Sequence, residues 1–291
     1  MDGIIVINKP QGCTSHDIVY KAKKIFNQKV GHTGTLDPNA TGVLPLLIGK
    51  GTQLSKYLIN HDKIYEVVLQ LGVKTDTADS EGNVIQKKEV DKTVLNTQYI
   101  VNVFNTFIGK QEQIPPMYSA IKVQGKKLYE YAREGKTVDV KPRTIEIYKI
   151  ELLNIDNNNC KLSFKVHCSK GTYIRSLCED IAKRLNTVGY MESLNRVQVG
   201  CFNIKDAISI DFLKENYENT EFIKKHFITI EDFFNKSSSI VLDSRKLQLF
   251  LNGVKLTYVL PDGLYKIYDN ANTFIGIGVI ENKLLKRDII I

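Results

Sequence analysis

The chain has 291 residues, 43% of them hydrophobic and 25% charged, a composition that excludes wholesale disorder and a membrane-embedded protein. Its 40 basic and 32 acidic residues give a net charge of +8, which favours a polyanionic partner such as nucleic acid. The five cysteines form no Cys-x-x-Cys pair and the five histidines have no partners at metal-ligand spacing, so we expect a cytoplasmic protein without a disulfide framework or a metal site.

The first part of the chain alternates predicted helices with strands. Ser15 is expected to cap an amphipathic helix whose apolar residues recur as far as Phe26. A glycine-punctuated loop at 31–42 precedes an apolar run at 43–48 and a short helix at 54–59. Period-two alternation then predicts a strand whose apolar face is formed by Tyr65, Val67, Leu69 and Leu71.

The rest of the chain is predicted to hold two larger helices, at 94–107 and after Gly171-Thr172, and a half-buried strand at 162–168. Before that strand, residues 122–143 carry seven basic and three acidic residues with interleaved tyrosines. A polar segment at 235–239 is the best candidate for a boundary. It divides the chain into a large domain at 1–236 and a small, mainly-β unit at 240–291.

The loop at 31–42 presents one carboxylate, that of Asp37. Pro38 disfavours helical dihedrals at Asp37, so the side chain is expected to project from a restrained, extended backbone. A phosphate-cradling loop does not fit, because Gly-x-x-x-x-Gly-Lys-Ser/Thr is absent around Gly49-Lys50. On spacing alone, an Asp-Pro pair that merely starts a tight turn remains an alternative to a reactive carboxylate.

Seven blocks of the sequence, taken in order, resemble those of the tRNA pseudouridine synthase B family. The block GHTGTLDPNATGVL (31–44), which contains Asp37, is similar almost throughout to the signature of that family. The other blocks are INKPQGCTSHDIV (7–19), KIYEVVLQLGVKTDTAD (63–79), PPMYSAIKVQGKKLYEYAREG (115–135), RTIEIY (143–148), SKGTYIRSLCEDI (169–181) and LNRVQVGCF (194–202). Within the last block, Val197 and Cys201 depart from the usual pattern at positions outside the implied chemistry.

The resemblance implies a pseudouridine synthase fold of the α+β class, with a central mixed, largely antiparallel sheet flanked by helices. It also implies an RNA-clamping insertion at about 117–142 and a small, mainly-β, PUA-like RNA-binding domain at the C-terminus. The implied activity is the isomerisation of uridine 55 in the T loop of tRNA, without a cofactor and with the target base flipped out. The enzyme is expected to act as a monomer on the T arm, with no obligatory protein partner.

Three residues match the family's catalytic positions. Asp37 occupies the place of the nucleophilic aspartate, and Arg175 matches the arginine that pairs with it and favours its ionised form. Tyr65 matches the tyrosine that stacks on the flipped base and lies close enough to take part in proton transfer. Whether the aspartate attacks the base or the sugar, or assists proton removal, is left open by the sequence.

Six further residues match positions that the family uses to bind its substrate. One of them enters the disrupted T loop, two surround the pocket, one helps to hold the pocket, and two belong to the basic insertion, where positive charge suits phosphate contacts. In that order they are His32, Tyr173 and Leu194, Lys9, and Lys126 and Lys127.

Two other functions fit part of the same pattern. One is a guide-RNA-dependent pseudouridine synthase of the same superfamily, although nothing in the chain suggests the different terminal extensions that such enzymes carry. The other is a tRNA-binding or folding chaperone without catalysis, against which the intact Asp37, Tyr65 and Arg175 argue. Cysteine catalysis is disfavoured, because His167 and Cys168 are neighbours on a predicted strand and point to opposite faces.

Overall fold

The structure, a computed structural model, describes all residues from 1 to 291 and folds most of them around two β-sheets. None of the helices combines the length and the hydropathy that a bilayer crossing requires. The strands and helices follow in chain order: β1 (Gly3–Lys9), α1 (Ser15–Phe26), β2 (Val30–His32), β3 (Thr41–Ile48), α2 (Ser55–Leu58), β4 (Lys63–Leu71), β5 (Val73–Thr75), β6 (Val84–Lys87), α3 (Thr97–Asn105), β7 (Gly109–Gln113), β8 (Lys122–Val123), β9 (Lys126–Lys127), α4 (Leu128–Arg133), β10 (Arg143–Asp156), β11 (Lys161–Cys168), α5 (Ile174–Arg184), β12 (Gly189–Val199), β13 (Phe202–Asn203), α6 (Ile210–Asn216), α7 (Thr220–His226), β14 (Phe227–Thr229), α8 (Ile230–Phe233), β15 (Ser239–Val241), α9 (Ser244–Leu251), β16 (Leu256–Thr257), β17 (Gly263–Tyr268), β18 (Phe274–Glu281) and β19 (Leu284–Ile290).

Ten strands form the larger sheet, in the order β14-β1-β3-β12-β4-β11-β10-β7, with β2 paired to β3 and β13 paired to β12. Its neighbouring strands are antiparallel except for β3 and β12, which run parallel. Alternate residues of β4 and β11 are buried in one apolar cluster with residues of α3 and α5. The predicted class, α+β with a mixed, largely antiparallel sheet flanked by helices, is confirmed.

Five strands near the C-terminus form a smaller sheet, in the order β15-β17-β18-β19-β16, with its own apolar core beneath α9. Ile277 and Ile289 of this sheet pack in one cluster with Ile4 and Val6 of β1, so the two sheets share an apolar contact. The mainly-β character predicted for the C-terminal unit is confirmed. We propose residues 1–236 and 240–291 as the two domains, since α8 ends at Phe233 and the next element, β15 (Ser239–Val241), belongs to the smaller sheet.

The start of α1 differs from the prediction in a way that affects the loop carrying Asp37. Thr14, and not Ser15, is the N-cap: its hydroxyl accepts a hydrogen bond from the Asp17 N–H, and the Asp17 carboxylate accepts one from the Thr14 N–H. Ser15 is buried, and its hydroxyl accepts from the Leu36 N–H at 2.9 Å and donates to the Leu36 carbonyl at 3.2 Å. The capping prediction was wrong, because Ser15 ties the helix to the residue before Asp37.

One other helix, α3, is shorter than predicted because its cap lies further along the chain, whereas α5 follows Gly171-Thr172 as predicted. α3 begins at Thr97, since the Asn96 side chain accepts a hydrogen bond from the Tyr99 N–H at 2.9 Å. α5 begins at Ile174 after an extended Tyr173, since Gly171 adopts a φ of 80° that no α-helix contains.

Gly42 allows the loop that carries Asp37 to pass close to β12. Its φ is 108°, and a Cβ placed on it would lie 2.2 Å from the carbonyl oxygen of Arg196. A residue with a Cβ atom could adopt neither this dihedral angle nor this close contact without strain. Gly42 therefore fixes the point at which the loop joins β3.

We expect Gly42→Ala to cost more than about 2 kcal/mol of unfolding free energy, since the alanine must both adopt a strained φ and push β12 away. Gly12→Ala is the matched control, because Gly12 also has a positive φ, of 82°, but has no atom within 4 Å of the added Cβ. Its expected cost is about 1–2 kcal/mol. Urea unfolding followed by circular dichroism measures both, and equal destabilisation of the two variants would contradict the close approach.

Candidate active site

A cavity of about 680 Å³ opens where the loop at 31–42, β4, the segment before α5, and β12 converge. Residues of the segment 118–129 and the start of β10 complete its wall. Its charged lining consists of one carboxylate and five cations, namely Asp37 against Lys63, Arg143, Lys170, Arg175 and Arg196. The cavity is therefore electropositive around a single acid.

Asp37 lies on the cavity wall beside Arg175. The Arg175 Nε lies 3.2 Å from one carboxylate oxygen of Asp37, and Nη2 donates to the other at 3.4 Å. The Asp37 side chain is 37% exposed, whereas that of Arg175 is only 7% exposed. One face of the carboxylate thus remains open to the cavity while the guanidinium fixes its direction.

Arg175 is itself held by groups from two other segments. Nη1 lies 3.5 Å from a carboxylate oxygen of the buried Asp79 and 3.4 Å from the carbonyl of Thr77, to which it donates. Nη2 also donates to the carbonyl of Tyr118 at 2.9 Å. The guanidinium is therefore shared between two carboxylates, and these contacts lock its orientation.

The pKa of Asp37 reflects a balance between burial and neighbouring charges. Burial has the largest effect and raises the pKa, and the charge of Asp79 also raises it. Arg175 opposes this rise most strongly, followed by Lys9 and Arg196. The net result is a pKa above the ordinary aspartate value.

Tyr65 and Leu194 project into the same cavity from adjacent strands. Tyr65 lies on β4 and Leu194 on β12, and each is 8% exposed. Tyr173, the N-cap of α5, also lines the cavity, and the Gln113 side chain accepts from its N–H at 2.8 Å and donates to its carbonyl at 3.0 Å. Five of the nine predicted site residues therefore meet around one cavity: Asp37, Tyr65, Tyr173, Arg175 and Leu194.

Lys9 and His32 lie outside that lining. Lys9 has no exposed surface, and its ammonium donates to the carbonyls of Pro10, Cys13 and Pro38 at 2.7–3.1 Å. It therefore braces the residue that follows Asp37. His32, at the end of β2, is half-buried, and its Nδ1 has no hydrogen-bond partner; burial lowers its pKa, so the ring is neutral at neutral pH.

Lys126 and Lys127 form the short strand β9. Neither lines the cavity, but Lys127 contacts a tyrosine that does. The Lys126 ammonium pairs with Glu134, which reduces its free charge. The Lys127 ammonium lies 5.3 Å from the ring centroid of Tyr129, which lines the cavity, and donates to its hydroxyl at 3.2 Å. The two lysines thus border the cavity on the side of the insertion.

Sequence reasoning did not single out Arg196, Asp79, Lys63 or Gln113, although all four are buried and adjoin the site. The one signal in the sequence was alternation, since Arg196 is two residues from Leu194 and so shares its face of a strand. Asp79 and Gln113 act through contacts with Arg175 and Tyr173, which only the tertiary structure brings into range.

Cysteine chemistry finds no support at the site. Cys168 is fully buried, and burial raises its pKa to about 12, so the thiol is protonated at neutral pH. His167 is on the other face of β11, where its ring packs against that of Tyr148 at a tilt of 52°, with ring centroids 4.8 Å apart. The prediction that these neighbours do not cooperate is confirmed.

The whole chain is similar to proteins of one family. Residues 23–174 match the family model described as "TruB family pseudouridylate synthase (N terminal domain)". Residues 175–234 match "tRNA pseudouridylate synthase B C-terminal domain", and residues 238–286 match "Pseudouridine synthase II TruB, C-terminal". The chain belongs to the TruB family of pseudouridylate synthases.

Relatives and solved structures agree with this membership. The chain is 43% identical to tRNA pseudouridine synthase B of Clostridium kluyveri over 286 residues, covering 96% of each protein. It is 41% identical to the protein of the same name from Caldanaerobacter subterraneus, covering 98% of each. A chain in the crystal structure of a Cbf5-Nop10-Gar1 complex is 25% identical to this protein, with a TM-score of 0.67. The match covers 99% of this protein and 83% of that chain. The TruB-family protein is accordingly an enzyme of the pseudouridine synthase class.

We expect Asp79→Asn to move the acidic limb of the pH profile of kcat/KM to lower pH. The charge of Asp79 raises the pKa of Asp37 and competes for Arg175, so its removal lets Asp37 stay ionised further into acid. Rates of pseudouridine formation across the acidic range measure the shift. The control is Glu81→Gln, which removes an exposed carboxylate two residues away and should move the limb less. An acidic limb that does not move, or that moves to higher pH, in Asp79→Asn would contradict the proposed effect of Asp79 on the Asp37 pKa.

Proposed function

We propose that this protein isomerises uridine 55 in the T loop of tRNA to pseudouridine, with Asp37 as its essential carboxylate. The observation that supports this most directly is the ion pair of Asp37 with the buried Arg175 in the wall of an electropositive cavity that Tyr65 also lines. The proposed site has the charge that RNA requires and the acid that this isomerisation requires.

The reaction exchanges one bond of the sugar for another. The bond from C1′ to N1 of uracil breaks, a bond from C1′ to C5 forms, C5 loses a proton, and N1 gains one. Atoms and electrons therefore balance within the nucleotide, and the proposed mechanism uses no cofactor. An attack by Asp37 on the base or on the sugar requires the ionised carboxylate, and Arg175 favours that form.

The cavity has dimensions suited to one extruded nucleotide. Its volume of about 680 Å³ is within the usual range for a small-molecule pocket, about 300–1,000 Å³. The Tyr65 ring offers a face on which the uracil can stack while it turns, because stacking tolerates in-plane rotation better than directed hydrogen bonds do. Leu194 and Tyr173 complete the proposed base pocket, and Arg143 and Lys170, both exposed, are placed to meet phosphates.

The remaining parts of the chain are proposed to hold the tRNA around this pocket. The segment at 117–142, with Lys126 and Lys127, would close over the T arm, while His32 would enter the space left by the flipped base. The C-terminal sheet would act as a PUA-like RNA-binding domain. We propose a cytoplasmic enzyme that works as a monomer, needs no protein partner and binds no membrane.

Identity to the relatives favours the tRNA enzyme over the two alternatives. Relatives at 41–43% identity are named tRNA pseudouridine synthase B, whereas the structural neighbour from the Cbf5-Nop10-Gar1 complex is 25% identical. A T-arm transcript carrying tritium at uridine C5 separates the functions. Tritium release without any guide RNA supports the proposal, whereas tight binding without release indicates a chaperone.

We expect Asp37→Asn to reduce tritium release by about 10⁴-fold or more, because the amide preserves the shape but removes the charge. The Kd for the transcript should change less than tenfold, which corresponds to about 1.4 kcal/mol. Single-turnover release and a filter-binding titration measure the two quantities. Asp206→Asn, an exposed carboxylate far along the chain, serves as the control with normal turnover, and near-normal release by Asp37→Asn would disprove the assigned role.

We expect Lys126→Ala combined with Lys127→Ala to weaken tRNA binding more at low salt than at high salt, because the two ammonium groups are expected to neutralise phosphates. The slope of log Kd against log salt should fall by about 1 for each phosphate that the variant no longer neutralises. Lys224→Ala with Lys225→Ala on α7 is the matched control, since one lysine of each pair is already bound to a glutamate. A salt-independent weakening in the first pair would point to misfolding of the insertion instead.

A further inference from the structure

Arg196 is the largest side chain in the protein that is almost fully buried, with 1% of its surface exposed. It lies on β12 directly opposite Tyr65 of β4, and both residues line the cavity. Burying a guanidinium costs several kcal/mol of desolvation, and an apolar side chain of similar volume often serves stability equally well. Stability alone therefore gives a poor account of an arginine at this position.

The donors of Arg196 hold the loop that carries Asp37 at two points. Nε donates to the carbonyl of Val43 at 2.8 Å, and Nη2 donates to the carbonyl of Gly34 at 3.0 Å. These two carbonyls lie on either side of Asp37 in the chain. The charge of the guanidinium also acts on Tyr65, its cross-strand partner, and lowers the pKa of that phenol against the effect of burial. Arg196 is thus tied to the loop that carries the carboxylate and lies across from the tyrosine on the neighbouring strand.

Tyr65 faces few charges besides that of Arg196. Burial has the largest effect and raises the pKa of Tyr65 to about 12, and Arg196 is the strongest opposing influence. Cys168 on β11 and Asp37 in the loop raise the pKa, and Lys63 on β4 lines the same cavity. Without Arg196, the environment would disfavour a phenolate still more.

The isomerisation moves one proton from C5 to N1. A tyrosine that carries this proton must pass through the phenolate, whether it first donates to N1 and then accepts from C5 or acts in the reverse order. A fixed cation beside the phenol stabilises that state without reorganisation, since the guanidinium is already held by two carbonyls.

We infer that Arg196 is a positioning residue that aligns Tyr65 with Asp37 and holds positive charge at the Tyr65 hydroxyl during the proton transfer. This inference rests on the proposed isomerisation and assigns to it a residue that acts through another. Its test must therefore separate an effect transmitted by the phenol from a general loosening of the fold.

A double-mutant cycle makes that separation. Arg196→Gln is expected to lower the single-turnover rate of tritium release by about 100-fold, within the usual range for an impaired acid–base group, with KM changed less than about threefold. In a Tyr65→Phe background, the same substitution should cost at least about tenfold less, because the phenol is already absent and only the effect of Arg196 on the Asp37 loop is lost. Equal reductions in the two backgrounds would overturn the inference.

Tritium release by the unmodified enzyme is the control for the function itself, so failure there refutes the isomerisation and not only the role of Arg196.

Two further variants keep the test decisive if Arg196→Gln does not fold. Arg196→Lys retains a cation but cannot bind both carbonyls, so its rate should lie between those of the arginine and glutamine proteins. Replacing Tyr65 in that lysine variant by 3,5-difluorotyrosine, a more acidic phenol, should raise the rate several-fold, since it supplies what the displaced cation no longer does. Thermal unfolding checks that each variant is folded. No rise with the fluorinated residue would show that Arg196 does not act through the ionisation of Tyr65.

Discussion

The proposed mechanism depends on keeping one carboxylate ionised where burial opposes its charge. Three cations that are themselves buried oppose the rise in the Asp37 pKa, and they come from three different elements: Lys9 from β1, Arg175 from α5 and Arg196 from β12. Each cation is fixed by main-chain carbonyls or by a second carboxylate, so none can turn away from the site. The active-site charge is thus organised before any RNA arrives, and little reorganisation is left for the reaction itself.

The mixed sheet makes this arrangement possible. The only parallel pair in it, β3 with β12, brings the end of the loop at 31–42 against Arg196, while the antiparallel pairing of β12 with β4 sets Arg196 opposite Tyr65. Gly42 permits the close approach, and Ser15 and Lys9 hold the loop from its other side. On the facing wall, the Gln113 amide fixes Tyr173 and with it the start of α5. A polar tie therefore holds each catalytic candidate on an element that is also packed in the core.

The sequence predicted the elements and the reactive loop better than the contacts between them. Glycine, proline and one aspartate mark the loop locally, and Tyr65 and Arg175 could be assigned because they sit in recognisable blocks. Arg196 could not, since its partnership with Tyr65 is a matter of strand register, which no local pattern specifies. Ser15 was mistaken for a cap because a serine at a helix start usually is one, and only the tertiary contact with Leu36 overrides that preference. His32 and Lys9 lie away from the cavity lining, which spacing alone could not reveal.

The charge of the RNA poses a further electrostatic problem for Asp37. Phosphates that approach the cavity add negative potential, which by itself would raise the pKa of the carboxylate further and reduce its ionised fraction. Arg143 and Lys170 are exposed in the cavity wall, whereas Arg175 and Arg196 are buried near the carboxylate, so the cations form an outer and an inner group. The outer group can neutralise phosphates in water, where forming an ion pair costs little desolvation free energy. The inner group then remains beside Asp37 and Tyr65. If Asp37 is the essential carboxylate, as we propose, this separation lets the site bind a polyanion while Asp37 stays ionised.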